Sequence, residues 1–332
     1  MTPLPSTDKT TDKTLNKAPK PTSAKANRSY GVSPDKKLGQ HWLVDPSVIS
    51  AMVSAVMHDG NQDPLSNQAC LVEIGPGTGA LTGPLVEAAL TDSERYLFAV
   101  DLDRRSIAAL HQRFGPDSEN PQPRLHAFQG DILRHTPESF LALDKDFPSQ
   151  GPISVVGNLP YQITAPILMH LLGDAAKPSP WLGRVQSLTL MMQQEVAERL
   201  IASPRTKAYS PLSLAVQGSC EIVPVLLNIS PKAFKPSPKV ESAVLQLIPR
   251  QQPLWANVDG RLFQTLVRTA FNQRRKTLLN SLGSLVPKEV LQTVSHTDLA
   301  EHWPTLRADA IGMSDYLALT EALTPWDKAN RG

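Results

Sequence analysis

The residues best suited to chemistry in this chain are Asn158-Leu159-Pro160-Tyr161. They follow Pro152-Ile153-Ser154-Val155-Val156-Gly157, a short β-branched run that reads as a buried strand. At the end of that strand Asn158 brings a side-chain carbonyl. The proline stiffens the corner and keeps its backbone carbonyls out of any ladder. Tyr161 adds a flat aromatic face. A planar base carrying an amino group uses all three: two acceptors for its N–H bonds and a ring to stack on. An ordinary Asn-x-Pro turn has the same residues, so the corner gains meaning only from what the rest of the chain adds.

Three further groups sit at strand ends. Ala69-Cys70-Leu71-Val72-Glu73-Ile74 reads as a buried strand feeding Gly75-Pro76-Gly77-Thr78-Gly79-Ala80. Its glycines permit a tight turn and close approach of backbone to a ligand. The loop also fits the loose dinucleotide pattern G-x-G-x-x-A, so a nicotinamide enzyme is one reading. Tyr96 to Val100 forms the next strand and ends at Asp101-Leu102-Asp103. An acid there can accept both hydroxyls of a ribose, while Asp103 is better placed to cap a helix from Arg104 to Phe114. A strand from Arg124 to Phe128 leads to Asp131, which can accept from an adenine amino group.

Strands that alternate with helices five times predict an α/β fold with a doubly wound parallel sheet, the helices covering both faces. Val185 to Met192 is the fifth strand. Glu221 to Leu227 and Ser242 to Ile248 have no helix between them and predict an antiparallel pair at the sheet edge. Asp45-Pro46 starts a helix through Val48, Ile49, Met52, Val53 and Val56. The segment before it, Lys36 to Val44, has no clear period and is free to fold over a site as a lid. The loops 115–123 and 173–184 read as surface insertions.

The chain has 332 residues, enough for one large domain and a smaller one. Its two cysteines, Cys70 and Cys220, are too few for a disulfide framework or a metal cage. No metal site is expected, and each thiol reads as a small buried hydrophobe. No apolar run approaches transmembrane length, and no apolar leader opens the sequence, so a cytoplasmic protein with no membrane partner is expected.

Residues 1–35, rich in Thr, Ser, Lys and Pro, read as a disordered basic tail. Residues 1–40 hold eight Lys/Arg against three Asp, which leaves the rest of the chain slightly acidic despite a net charge of +2. Basic surface on the folded body must therefore be local. Two patches qualify. Ser230 to Lys239 carries Lys232, Lys235 and Lys239 with three prolines and Phe234, a stiff loop that can offer a stacking face to nucleic acid. Residues 261–276 carry Arg261, Arg268, Arg274, Arg275 and Lys276 and no acid, on or after a helix whose apolar stripe is Leu262, Phe263, Leu266, Val267, Ala270 and Phe271. A binding-only assembly factor explains these patches and leaves the strand-end acids idle; a dehydrogenase does the reverse.

Glu73-Ile74-Gly75-Pro76-Gly77-Thr78-Gly79 together with Asn158-Leu159-Pro160-Tyr161 resembles S-adenosylmethionine-dependent methyltransferases that act on adenine N6. The Gly39-Gln40-His41-Trp42-Leu43 lead-in, Phe234 to Val244, and Ala270-Phe271-Asn272-Gln273-Arg274-Arg275-Lys276-Thr277 narrow it. Together they resemble the bacterial small-subunit (16S) ribosomal RNA adenine dimethyltransferases, from about Lys36 to the C-terminus.

The resemblance implies a Rossmann-like class I methyltransferase domain at 36–250 and a small helical RNA-binding domain at 251–332. It implies N6-dimethylation of two adjacent adenosines near the 3′ end of small-subunit ribosomal RNA, with S-adenosyl-L-methionine as cofactor and a monomer working on an assembling subunit. By the same resemblance His41, Leu43, Gly75, Asp101, Asp131 and Asn158 bind the cofactor. Asn158, Leu159, Pro160 and Tyr161 form the catalytic corner, with either Leu159 or Pro160 supplying a backbone acceptor. Phe234, Lys235, Arg274, Arg275 and Lys276 face RNA. Two positions depart from the family pattern: Trp42 stands where phenylalanine is usual, and Asp101 where glutamate is usual, one methylene shorter.

Overall fold

The computed structural model describes residues 32–35, 39–58, 70–91, 94–294 and 299–330. The expected basic tail therefore lies almost wholly outside the described residues. Asp35, at its end, is already tied in: its N–H donates to Gln40 Oε1 and its carbonyl accepts from the Gln40 N–H.

Seven strands form the central sheet: β2 (Cys70–Ile74), β3 (Leu97–Asp101), β4 (Leu125–Gln129), β5 (Ile153–Asn158), β6 (Val185–Gln193), β7 (Cys220–Ile229) and β9 (Ser242–Pro249). Their order is β4-β3-β2-β5-β6-β9-β7. The first five are parallel, and β9 runs antiparallel to both β6 and β7. The sheet is thus the expected doubly wound one with an antiparallel pair at one edge. The order reverses between β2 and β5, so a crevice opens beyond their carboxyl ends.

Helices cover both faces, which is why β2 is buried along its whole length. One face packs β2 and β5 against the helix Thr164–Leu172 through Ile167, Leu168 and Leu171. The other packs against the helix Pro46–Met57, whose buried Val48, Met52 and Val56 recur every four residues. Asp45 caps that helix by accepting from the N–H groups of Ser47 and Val48, and Asp103 caps Arg104–Phe114 by accepting from the Arg105 N–H. Cys70 and Cys220 are buried in the sheet core, and burial pushes the Cys220 thiol up to about 12.

A two-stranded ribbon was not anticipated. β1 (Trp42–Leu43) pairs antiparallel with β8 (Phe234–Lys235), placing Trp42 opposite Lys235 and Leu43 opposite Phe234. The lead-in is therefore fastened to the β7–β9 loop. The Val44 N–H extends the attachment by donating to the Ala233 carbonyl at 2.8 Å.

The C-terminal part is helical, with Gly260–Asn272 and Met313–Asn330 as its main helices. Its core also takes in Ala202, Tyr209 and Leu214, so the segment before β7 packs with it across the expected boundary at 250. The loop 173–184 is not purely surface. Trp181 is fully buried, and its indole N–H donates to the His135 carbonyl at 2.9 Å.

Candidate active site

The glycine turn leaves β2 with Gly75 and Gly77 at φ of +67° and +55°, a region costly for any residue with a Cβ. The Gly75 N–H donates to the Val100 carbonyl at 2.9 Å, and the Gly77 N–H donates to Asp101 Oδ2 at 3.2 Å. Asp101 Oδ1 accepts from the Asp103 N–H at 2.8 Å. Each carboxylate oxygen thus accepts one backbone N–H, which fixes the carboxylate at the end of β3. Burial pushes the Asp101 carboxyl above the usual range, against the pull of these two N–H donors.

Beneath the turn, burial raises the Glu73 carboxyl to about 8. Thr82 Oγ1 donates to it at 2.7 Å. Asp103 serves as a cap and ion-pair partner: the Arg105 guanidinium holds its carboxyl at about 2, and Gln40 Nε2 donates to it at 3.1 Å.

At the end of β5, Asn158 Nδ2 donates to the His41 carbonyl at 2.9 Å. A carbonyl can only accept, which turns the amide nitrogen toward the lead-in and leaves Oδ1 for the cavity. The Pro160 carbonyl accepts from the Ile163 N–H and Thr164 Oγ1, so both its lone pairs are engaged. Of the two backbone carbonyls proposed from the sequence, only that of Leu159 remains available; Pro160 instead shapes the turn. The Tyr161 hydroxyl pairs with Ser242 Oγ at 2.7 Å, fixing the ring. His41 lies against one face of that ring, centroids 5.7 Å apart and planes 21° from parallel, and its Nδ1 pairs with the Pro236 carbonyl at 2.8 Å.

These groups surround one cavity of about 250 Å³, lined by His41, Trp42, Gly75, Asp101, Asp131 and the Asn158–Tyr161 corner. Asp131 has two duties, since its Oδ1 also accepts from the Leu133 N–H at the start of a short 3-10 turn. Leu43 does not line this cavity. Its side chain is buried in the core, and it borders only a small recess beneath the glycine turn. Gln40, Leu102, Ile132 and Gln162 line the cavity without having been singled out in the sequence; for Leu102, 55% exposed, the available signal was its place directly after the strand-end acid.

Among the described residues, the lining includes two carboxylates, Trp42 and Tyr161, and no Lys or Arg. A dinucleotide pyrophosphate would face those carboxylates without a cation. A nucleoside carrying a sulfonium meets acids and aromatic faces that favour positive charge. Trp42 Nε1 is buried without a hydrogen-bond partner, an unpaired donor beside the glycine turn. The site fits S-adenosyl-L-methionine.

The expected RNA-facing residues separate. Phe234 is 1% exposed and packed in the core with Leu43, so it offers no stacking face; backbone pairing with Leu43 turned it inward. Lys235 is exposed. Arg274 is not free for phosphate. Its Nη2 lies 3.0 Å from Asp309 Oδ2 and donates to the Thr206 and Lys207 carbonyls, bracing the helical part against the 202–214 segment. Arg275 and Lys276 are exposed.

Strand order and site define a class I methyltransferase. The family model for ribosomal RNA adenine dimethylase matches residues 32–317, and the chain belongs to that family. It is 39% identical to a ribosomal RNA small subunit methyltransferase A of Synechococcus sp. (strain JA-3-3Ab), over 87% of this chain and 93% of the relative. It is 38% identical to that of Thiobacillus denitrificans (strain ATCC 25259 / T1), over 88% and 98%. Two solved structures share the fold. A dimethyladenosine transferase from Plasmodium falciparum aligns with a TM-score of 0.64 at 23% identity, over 87% of this chain and 98% of that one. The 23S rRNA methyltransferase ErmE aligns at 0.59 and 22%, over 85% and 99%.

Proposed function

We propose that the chain dimethylates N6 of two adjacent adenosines in a loop near the 3′ end of small-subunit ribosomal RNA. It does so with S-adenosyl-L-methionine, as a cytoplasmic monomer acting on the assembling subunit. The observation that carries this reading is the corner itself: Asn158, its amide nitrogen held by the His41 carbonyl, and Leu159 line the cavity beside Tyr161, together with Asp101 and Asp131.

Asp101 takes the ribose hydroxyls and Asp131 the adenine amino group of the cofactor, which supplies an electrophilic methyl on sulfur. The target's exocyclic nitrogen is a poor nucleophile because its lone pair is delocalised into the ring. Asn158 Oδ1 and the Leu159 carbonyl accept its two N–H bonds and turn the lone pair toward the methyl carbon. A cofactor held there would supply the methyl carbon to that lone pair, its sulfur keeping the C–S bonding pair. The nitrogen, now strongly acidic, releases its proton to water. Positioning and water exclusion supply most of the acceleration. Tyr161 stacks the base, which must leave its own helix or come from a loop. After one transfer the nitrogen keeps one N–H, so one acceptor still suffices for the second.

The test is transfer of radiolabelled methyl to unmethylated small subunits, followed by nucleoside analysis. Label in N6,N6-dimethyladenosine from the small-subunit RNA is the expected result. Label confined to the large subunit, or to a base other than adenine, would overturn the assignment.

A further inference from the structure

We propose that the indole N–H of Trp42 holds the carboxylate at the amino-acid end of the cofactor, an inference that rests on S-adenosyl-L-methionine being the ligand. Trp42 Nε1 is buried and has no hydrogen-bond partner. An unpaired buried donor costs about 1–3 kcal/mol, and such groups are seldom left unpaired unless a ligand or water meets them. The indole is held against the glycine turn: a Cβ added to Gly77 would meet both Cδ1 and Nε1 at 3.4 Å. Its backbone is fixed on one side by pairing with Lys235 and on the other by the Asn158 bond to the His41 carbonyl. The indole is therefore held in place beside the turn.

Charge decides what it meets. The nucleoside end of the cavity has its own partners in Asp101 and Asp131, which leaves the glycine turn and Trp42 for the amino-acid end. That end carries an ammonium and a carboxylate. An indole N–H can only donate, so it repels the ammonium and suits the carboxylate. Among the described residues, no Lys or Arg lines the cavity or the recess under the turn. Among these described residues a carboxylate would be held by neutral donors, and Trp42 has one to spare that is buried against the glycine turn. The ammonium finds backbone carbonyls instead; that of Asn158 lies 3.7 Å from where a Gly75 Cβ would sit.

The experiment compares two ligands on two proteins by calorimetry. S-adenosylhomocysteine keeps the carboxylate; 5′-methylthioadenosine lacks the whole amino-acid end. Trp42→Phe keeps an aromatic ring and removes the N–H. We expect the variant to bind S-adenosylhomocysteine about tenfold or more weakly, as loss of a hydrogen bond to a charged group implies, and to bind 5′-methylthioadenosine unchanged. Equal affinity of both proteins for S-adenosylhomocysteine, or an equal loss for both ligands, would overturn the proposal. Failure of the wild type to bind either nucleoside would overturn the cofactor reading itself. Indole N–H resonances of the unmutated protein give an arm independent of the variant's folding. Among the described residues, which include all five tryptophans of the chain, Trp42 is the one tryptophan lining the cavity. One indole proton should move downfield with S-adenosylhomocysteine and stay put with 5′-methylthioadenosine; no such movement counts against the contact.

Discussion

The side-chain amide of Asn158 reaches the backbone carbonyl of His41 at 2.9 Å, joining residues 117 positions apart. One end of the amide ties down the lead-in, and this fixes the other end as an acceptor in the cavity. Trp42, the next residue, lies against the glycine turn. Lead-in, cofactor site and acceptor corner are thus mechanically one unit, with β1–β8 pairing as the second fastening.

Asn158→Ala should therefore lower methyl transfer by at least 10²–10³-fold, the scale for deleting one preorganised polar group at a reacting centre. Cofactor affinity should fall less, because Asp101, Asp131 and the glycine turn are untouched. Single-turnover rates and calorimetric titration of the variant check this, and near-normal turnover would remove the corner from the mechanism.

Asp101→Ala should weaken cofactor binding by about 1.5–3 kcal/mol, the usual range for hydrogen bonds to a charged group. Because burial lifts the Asp101 carboxyl above the ordinary aspartate range, binding that depends on the carboxylate should be lost on acidification sooner than an ordinary aspartate would allow. A titration series between neutral and acidic pH, on wild type and variant, shows whether the acid-dependent part vanishes with the side chain.

Glu73 makes stability itself pH-dependent. Its carboxyl is raised from an ordinary 4.5 to about 8 in the folded chain. Between those values the folded state keeps a proton that the unfolded state has released, so stability falls as pH rises through the window. The slope is at most about 1.4 kcal/mol per pH unit for one group. Glu73→Gln retains an acceptor for the Thr82 hydroxyl and removes the titration. The variant should gain stability over wild type progressively from pH 5 to pH 8 in thermal melts. Parallel curves would mean that Glu73 ionises normally.

The sheet was legible because the parallel strands are short, largely apolar runs, three of which lead into Gly75, Asp101 and Asn158, and helix starts were legible because Asp45 and Asp103 occupy cap positions. What stayed hidden lacks periodicity or depends on distant partners. Two-residue strands such as Trp42–Leu43 and Phe234–Lys235 leave no pattern. Between prolines and lysines a lone Phe234 reads alike whether it points out or in. Trp181 likewise lies in a polar loop, yet its indole is buried against His135. The Asn158 corner was visible, but the choice of Leu159 over Pro160 needed the hydrogen bonds that only the folded turn makes.

The basic stretch ending in Arg274, Arg275 and Lys276 looked uniform for the same reason, since the partner of Arg274 lies 35 residues downstream at Asp309. Structure divides the three. Arg274 holds Asp309 and two carbonyls of the 206–207 turn, so Arg274→Ala should destabilise the fold by about 1–3 kcal/mol. Arg275 and Lys276 have exposed side chains at the helix end and are the better candidates for phosphate. Replacing both with Gln should leave thermal stability and cofactor affinity unchanged. It should weaken RNA binding about equally for all sequences and flatten the salt dependence by roughly 0.7–0.9 per lost contact. The measurement is affinity for small-subunit RNA across a salt series, for wild type, Arg274→Ala and the double variant, with melting curves alongside. Should the double variant keep the wild-type salt slope, these two cations are not part of the RNA grip, and the exposed lysines at 232, 235 and 239 become the surface to test next.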